Sequence, residues 1–190
     1  MAKQYVHLEQ TTLKNDAIMA HPLALPKVIH LDDPATDVMI DFSRHKCMHV
    51  QVSDKFDYIY HSINISHTAH LLVLDDNRML GIISAKDLHG AKPIQITQNR
   101  GIQREEITAP MLATSCDDMI VFDYHELEHA RVGNIVESFN YYKKHFALVV
   151  EKASDMPQQL IFNDHDHPQA DQQIIRGLII EDKIKAQLYI

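Results

Sequence analysis

The sequence predicts a mixed α+β fold made of two pseudo-symmetric repeats, each a small sheet flanked by helices. The first observation behind this prediction is an amphipathic helical stripe that recurs 76 residues further along the chain. The second is an apolar strand that recurs at the same offset. A half with so few strands cannot bury both faces of its own sheet, so we expect the two halves to pack together as one module.

Each repeat has the pattern helix, strand, hairpin, strand and short helix. The helical stripe begins at Phe56 in the first copy and at Val132 in the second, with apolar residues at positions i, i+3, i+4 and i+7. The strands at 71–75 and 147–151 are apolar and then turn acidic, as buried strands do where they enter a turn. Turn residues and a second apolar run follow the first of these strands, which predicts a hairpin.

The second hairpin is longer than the first. Gly81 of the first returning strand corresponds to Gly177 of the second, at an offset of 96, so the extra residues predict a loop insertion at about 151–176. Between the copies, Pro93 and Gly101 break the helical periodicity and predict a linker. The predicted organisation is an N-terminal arm at 1–33, a first repeat at 34–91, a linker at 92–106 and a second repeat at 107–190.

Composition disfavours several classes of partner. The 190 residues contain 18 Lys and Arg against 26 Asp and Glu, and the net charge of −8 disfavours nucleic acids and anionic membranes. The longest apolar runs are too short to span a bilayer, and the first residues lack the apolar core of a secretory signal. Two cysteines, Cys47 and Cys116, make no disulfide framework, so we expect a cytoplasmic protein.

The segment 81–87 reads Gly-Ile-Ile-Ser-Ala-Lys-Asp and resembles the closing segment of a cystathionine-beta-synthase (CBS) domain. The segments 37–42 and 107–111 are similar to the opening segments of such domains, and 145–150 is similar to the second domain of stand-alone bacterial CBS-pair proteins. The resemblance covers about residues 34–190. It implies a regulatory module that binds an adenosine-containing ligand between its two repeats and catalyses nothing.

The resemblance also implies roles for particular residues. Asp87 would hold the ribose hydroxyls and Ser84 would lie near a phosphate, since a carboxylate at a helix start accepts hydroxyl hydrogen bonds. Apolar side chains of Val50, Val52 and Ile83 could sandwich the base. An alternative is that Ser84 caps the helix and Asp87 completes a capping box.

The second copy departs from this pattern. Ile180 stands where the hydroxyl belongs and Lys183 where the carboxylate belongs, and an ammonium group cannot accept a hydrogen bond. We therefore expect the second site to be degenerate. His70 and His145 precede the two repeated strands, where they could line the nucleotide groove, and both are candidate ligand-binding residues.

Fourteen histidines suggest metal binding, and 125–129 reads His-Glu-Leu-Glu-His, the pattern of a zinc hydrolase. This segment falls between a strand and a helix of the second repeat, so a chance match is the expected explanation. We expect no metal site, no resident cofactor and no catalytic triad. The alternatives to a nucleotide sensor are a ligand-free dimeric interaction scaffold and, more remotely, a zinc hydrolase. We expect a homodimer both for the nucleotide sensor and for the scaffold, and either of them could also bind an unknown protein partner.

Overall fold

The computed structural model describes residues 28–156 and 172–189, apart from 46, 67, 68 and 77. Its strands form two four-stranded sheets, and the helices pack against them, which confirms the predicted mixed α+β class. The strands are β1 (Met39–Asp41), β2 (His49–Gln51), β3 (His70–Asp75), β4 (Arg78–Ser84), β5 (Thr114–Ser115), β6 (Ile120–Asp123), β7 (Phe146–Lys152) and β8 (Gln173–Ile180).

The helices include both predicted amphipathic segments. The first stripe buries Phe56, Ile59 and Ile63, and the second buries Ile135 and Phe139 at equivalent positions. Within the described part of the chain, none of the helices is long and apolar enough to cross a membrane. The helices are α1 (Phe56–Ile65), α2 (Ala85–His89), α3 (Lys92–Arg100), α4 (Ala109–Leu112), α5 (Tyr124–His129), α6 (Val132–Tyr142) and α7 (Glu181–Gln187), with 3-10 turns at Ala35–Val38, Arg104–Glu106 and Cys116–Asp118.

The two sheets have the same internal arrangement. In the first, β2 pairs in parallel with β3, and β3 forms an antiparallel hairpin with β4. In the second, β6 pairs in parallel with β7, and β7 forms an antiparallel hairpin with β8. Both hairpins contain a register irregularity at an equivalent place, after Val73 and after Val149. The predicted pseudo-symmetry is therefore present in the backbone itself.

The fourth strand of each sheet comes from the other half of the sequence. The short strand β1 pairs with β8, and the short strand β5 pairs with β4. The sheets therefore have the orders β1-β8-β7-β6 and β2-β3-β4-β5. This exchange of edge strands joins the two repeats. Each sheet therefore contains residues from both of the repeats predicted at 34–91 and 107–190.

Two glycines allow the exchanged strands to come close. A Cβ atom at Gly81 would lie 2.3 Å from the carbonyl oxygen of Thr114, and a Cβ atom at Gly177 would lie 2.8 Å from that of Ile40. Glycine inside a strand commonly marks such a close backbone approach. The repeated glycine of the sequence therefore has a packing reason, because it lies under the strand contributed by the other half.

A third apolar cluster joins the two sheets. Its buried members include Ile82 of β4, Leu148 of β7 and Leu178 of β8. One further cluster lies between each sheet and the helices that pack against it. The two halves consequently share one core across their sheets, as expected for repeats that cannot bury both faces alone.

A buried charged cluster holds β1 against the second sheet. The Arg176 guanidinium donates to the Glu151 carboxylate at 2.5 Å and lies 3.9 Å from the carboxylate of Asp41. It also stacks 3.5 Å above the Tyr124 ring. All three charged side chains are 11% exposed, so this cluster ties β1, β7, β8 and α5 together in a mostly dry setting.

The predicted linker is largely helical, contrary to the expected break in periodicity. Lys92–Arg100 forms α3, with Pro93 in the first turn, where the missing N–H has no intrahelical acceptor to lose. Gly101 then ends the helix in the left-handed conformation with φ of 63°. Pro93 therefore lies in the first turn of the helix and Gly101 ends it, and neither residue prevents the helix from forming.

The ends of the chain meet where they are described. Ile29 is buried, and its backbone bonds to Gln187 and Tyr189, so the last part of the predicted arm docks beside α7. Most of that arm, 1–27, lies outside the described residues. Within the predicted insertion, β7 and β8 continue their pairing to Lys152 and Gln173, and 157–171 lies outside the described residues.

Candidate functional site

A cleft of about 380 Å³ lies between the two halves. Its first wall is formed where β4 ends and α2 begins, and its second wall is formed by the start of β7 and the first turn of α7. Four of the residues predicted from the sequence line it together: His70, Ser84, Asp87 and His145. The other side chains with chemical interest in its walls are Lys86, Thr114, Phe146 and Asp182.

Ser84 and Asp87 form the capping box that the sequence offered as an alternative. The Asp87 N–H donates to Ser84 Oγ at 3.2 Å, and Asp87 Oδ2 accepts from the Ser84 N–H at 2.9 Å and from Ser84 Oγ at 2.6 Å. These bonds fix both side chains at the start of α2. Capping and ligand contact are compatible, because a carboxylate has about four acceptor positions.

Lys92 holds the second oxygen of the Asp87 carboxylate, and sequence reasoning missed it. Its Nζ lies 3.2 Å from Asp87 Oδ1 and donates to the Leu112 carbonyl oxygen at 2.5 Å. Lys92 begins α3, inside the segment interpreted as a linker. A local signal was available, since Lys92 follows Asp87 by five residues, but the pairing requires α3 to fold back beside α2.

The three predicted apolar contacts do not line the cleft. Val50 and Ile83 are 1% and 0% exposed, and both pack in the core between the first sheet and its helices. Val52 is half-buried against the same core. The physical reason is strand alternation: Ile83 points to the face opposite its neighbours Ile82 and Ser84. Val50 and Ile83 are therefore taken up by the core, and none of the three side chains faces the cleft.

Two contacts across the cleft join equivalent positions of the two repeats. The rings of His70 and Phe146 meet edge to face with their centroids 5.9 Å apart. Lys86 of α2 pairs with Asp182 of α7, with 2.5 Å between Nζ and Oδ2. These partners are separated by the repeat offsets of 76 and 96 residues. An approximate twofold axis therefore passes through this junction.

His145 belongs to a second charged group at the edge of the cleft. Its Nδ1 lies 2.6 Å from Glu181 Oε2, while Lys185 Nζ lies 2.5 Å from Glu181 Oε1. Burial opposes ionisation of Glu181, but the hydrogen bonds from Lys185 and His145 outweigh it and lower the pKa of this carboxyl. The Glu181 N–H also donates to the His145 carbonyl at 3.0 Å. This group fixes the imidazole at the mouth of the cleft.

Glu181→Gln is expected to lower the free energy of unfolding by about 1–2 kcal/mol at pH 7, because the amide loses two charge-assisted hydrogen bonds. The folded-state pKa is lowered, so this stabilisation is fully present above the ordinary pKa of 4.5 and is lost as the pH falls through the folded value. Urea unfolding of both proteins at pH 7 and pH 3 measures it. An equal difference at both pH values contradicts the prediction, and Glu105→Gln, an exposed glutamate, is the control.

The equivalent place in the second repeat has different chemistry. Ile180 is buried in the cluster that joins the sheets, and Lys183 is half-buried beside Cys47. Burial lowers the pKa of the Lys183 ammonium and raises the pKa of the Cys47 thiol. The hydroxyl and the carboxylate of the first repeat have no counterparts at these two positions. That the second site is degenerate remains a prediction.

The His-Glu-Leu-Glu-His segment forms α5, a six-residue surface helix. His125 and His129 are exposed, and their rings meet edge to face with centroids 5.1 Å apart. In the part of the chain that the structure describes, no group of three or more His, Cys, Asp or Glu side chains is placed to hold a metal ion. The two helical histidines therefore lack a third described ligand.

Comparison with known proteins identifies the fold. No family model matches the sequence, and no curated protein matches it. Among solved structures, the CBS domain of a bacterial CNNM/CorC family Mg²⁺ transporter in complex with ATP is similar, with a TM-score of 0.50 and 10% identity over 83% of this chain and 87% of that one. A CBS domain of that transporter family in complex with an inhibitor has a TM-score of 0.50 and 13% identity, over 83% and 77%.

A CBS-domain-containing hemolysin-like protein of Oenococcus oeni PSU is similar to the same degree. Its TM-score is 0.50 and its identity 13%, over 84% of this chain and 93% of that one. At such low identity these likenesses establish the fold alone. The chain has the fold of CBS-domain proteins, which confirms the expectation drawn from the segment at 81–87.

Proposed function

We propose that this protein is a regulatory module that binds an adenosine-containing ligand in the cleft between its two repeats and has no catalytic activity of its own. The observation that carries the proposal is the meeting of His70, Ser84, Asp87 and His145 in one cleft of about 380 Å³. Its size suits a small ligand. A structural neighbour with ATP bound adds support for the class of ligand.

The chemistry of the cleft fits the two ends of such a ligand. Asp87 is held by Ser84 on one side and by Lys92 on the other, so its carboxylate is fixed in place and keeps about one of its four acceptor positions for a ribose hydroxyl. Lys86 and His145 offer donors to a phosphate from opposite walls. A ligand that touches both walls binds one arrangement of the halves better than another, which is how it would change the protein's shape or partner affinity.

Asp87→Asn is expected to weaken binding of AMP, ADP or ATP at least about tenfold, because it removes the charge that accepts the ribose hydroxyls while the amide oxygen can still accept from Ser84. Isothermal calorimetry and thermal shift with these nucleotides and with S-adenosylmethionine measure it. The matched control is Asp123→Asn, since Asp123 accepts from the His125 N–H at the start of α5, outside the cleft. No response of the wild-type protein to any of these ligands, or an undiminished response in Asp87→Asn, overturns the proposal.

The second candidate function is a ligand-free dimeric scaffold. Two observations favour it: the Asp87 carboxylate already has protein partners on both oxygens, and Tyr58, Tyr141 and Tyr142 are exposed on α1 and α6. Exposed apolar side chains on helix faces are a common site of protein association. A stable dimer in analytical ultracentrifugation that shows no response to nucleotides favours this function over the first. A cytoplasmic location fits both candidates and is part of the proposal.

A further inference from the structure

The ion pair between Lys86 and Asp182 lies inside the proposed ligand cleft. Lys86 stands between Ser84 and Asp87 in the sequence, and Asp182 stands in the first turn of α7 on the opposite wall. Their charged atoms are 2.5 Å apart. Asp182 of the second repeat therefore holds Lys86 of the first repeat, and Lys86 lies beside Ser84 and Asp87 in the sequence.

This pair can open at little cost. The two side chains are 82% and 56% exposed, and exposed ion pairs contribute little net stability because water screens them. By contrast, Lys92 is held by both Asp87 and a backbone carbonyl, and His145 is held by the mostly buried Glu181. Among these three basic side chains, Lys86 is thus the one whose carboxylate partner a ligand can replace most easily.

We propose that Asp182 is a specificity-determining residue. It pairs with Lys86 and so competes with the ligand, and a phosphate group of the ligand displaces it from Lys86. The inference rests on the proposed function and narrows its ligand class to phosphorylated adenosine compounds. A phosphate carries more negative charge and more acceptor oxygens than one carboxylate, so it competes well for an ammonium group. S-Adenosylmethionine carries only one carboxylate and no phosphate, and adenosine has no charge, so we expect neither to displace Asp182 as a phosphate does.

The hydrogen bond between Lys86 and Asp182 is consistent with competition between two negatively charged groups for the Lys86 ammonium. It raises the pKa of Lys86 and lowers the pKa of Asp182, so both groups are charged near neutral pH. When a phosphate takes the place of Asp182, the ion pair between α2 and α7 is lost and the ligand becomes a link between the walls. Binding of a phosphorylated ligand is therefore coupled to the contact between the two repeats.

The test compares AMP with adenosine on Asp182→Asn and Lys86→Gln by calorimetry. Asp182→Asn is expected to bind AMP about fivefold more tightly than the wild type, with adenosine affinity unchanged. Lys86→Gln is expected to bind AMP about tenfold more weakly, again without an effect on adenosine. The control is Asp57→Asn, which removes the same charge from an exposed position of α1 outside the cleft. It tests the effect of the change in net charge and should change the affinity for neither AMP nor adenosine.

The double variant separates direct competition from a general electrostatic effect. If Asp182 acts through Lys86, then Asp182→Asn gives no gain in AMP affinity in the Lys86→Gln background. An equal gain in both backgrounds, or AMP binding by the wild type with no gain in Asp182→Asn, overturns this inference and leaves the proposed function standing. AMP binding by neither the wild type nor Asp182→Asn overturns this inference, and no response of the wild type to AMP, ADP, ATP or S-adenosylmethionine overturns the proposed function with it.

Discussion

Arg176→Met is expected to lower the free energy of unfolding by about 3–5 kcal/mol, which is a large part of the stability of a small protein. The guanidinium faces the carboxylates of Glu151 and Asp41 and stacks on Tyr124, and the charged side chains are mostly buried. Its removal leaves negative charge in a setting with little water to solvate it. Urea unfolding followed by circular dichroism measures the loss.

The matched control for this prediction is Arg44→Met. Arg44 lies 3.7 Å from the same Asp41 carboxylate, but its side chain is 79% exposed, so its loss should cost less than about 0.5 kcal/mol. A second variant keeps the test informative if Arg176→Met does not fold. Combining it with Glu151→Met removes the closer of the two stranded carboxylates and should recover part of the lost stability. Equal losses for Arg44→Met and Arg176→Met contradict the prediction.

Gly81→Ala is expected to lower the free energy of unfolding by about 3 kcal/mol. The new methyl group would start 2.3 Å from the Thr114 carbonyl oxygen, so β5 must move away from β4 or the strand must distort. Because β5 belongs to the other half of the sequence, the same substitution should weaken the link between the repeats. Hydrogen exchange should therefore show lost protection at the β4–β5 pairing, beyond the general loss of stability.

Two other glycines calibrate this effect. Gly101→Ala meets no atom within 4 Å and should cost only about 1 kcal/mol, through the left-handed backbone conformation alone. Gly177→Ala should lie between the two, because its nearest contacts are at 2.8 Å and include the flexible side chain of Met39. If Gly81→Ala lowers the free energy of unfolding no more than Gly101→Ala does, β5 moves away freely and the prediction is contradicted.

Local sequence patterns were sufficient for the elements that repeat. The stripes that begin at Phe56 and Val132 form α1 and α6, and the apolar runs form the central hairpins, because burial periodicity follows directly from helix and strand geometry. His70 and His145 are predicted as ligand-binding residues from their places just before the repeated strands, and both line the cleft. The helices and hairpins depend on neighbours close in the chain, whereas the meeting of the two histidines in one cleft depends on how the sheets pack.

Other features had weak or misleading local signals. The strands β1 and β5 contain three and two residues, too few to show a period, so their exchange between the sheets was not foreseen. Pro93 and Gly101 suggested a break where the chain forms α3, and Lys92 was thereby missed. Val50 and Ile83 were assigned to the ligand although strand parity places them in the core.

The count of residues and the two unequal copies identify one module of two similar halves, and the segment at 81–87 identifies its fold. Hydrophobic period, turn chemistry and helix capping carry that information because each acts over a few residues. Which surfaces face each other across the cleft is decided only when the sheets pack. Lys86 meets Asp182, and Arg176 meets Asp41, through contacts between residues 96 and 135 positions apart, where no local preference can specify the partner.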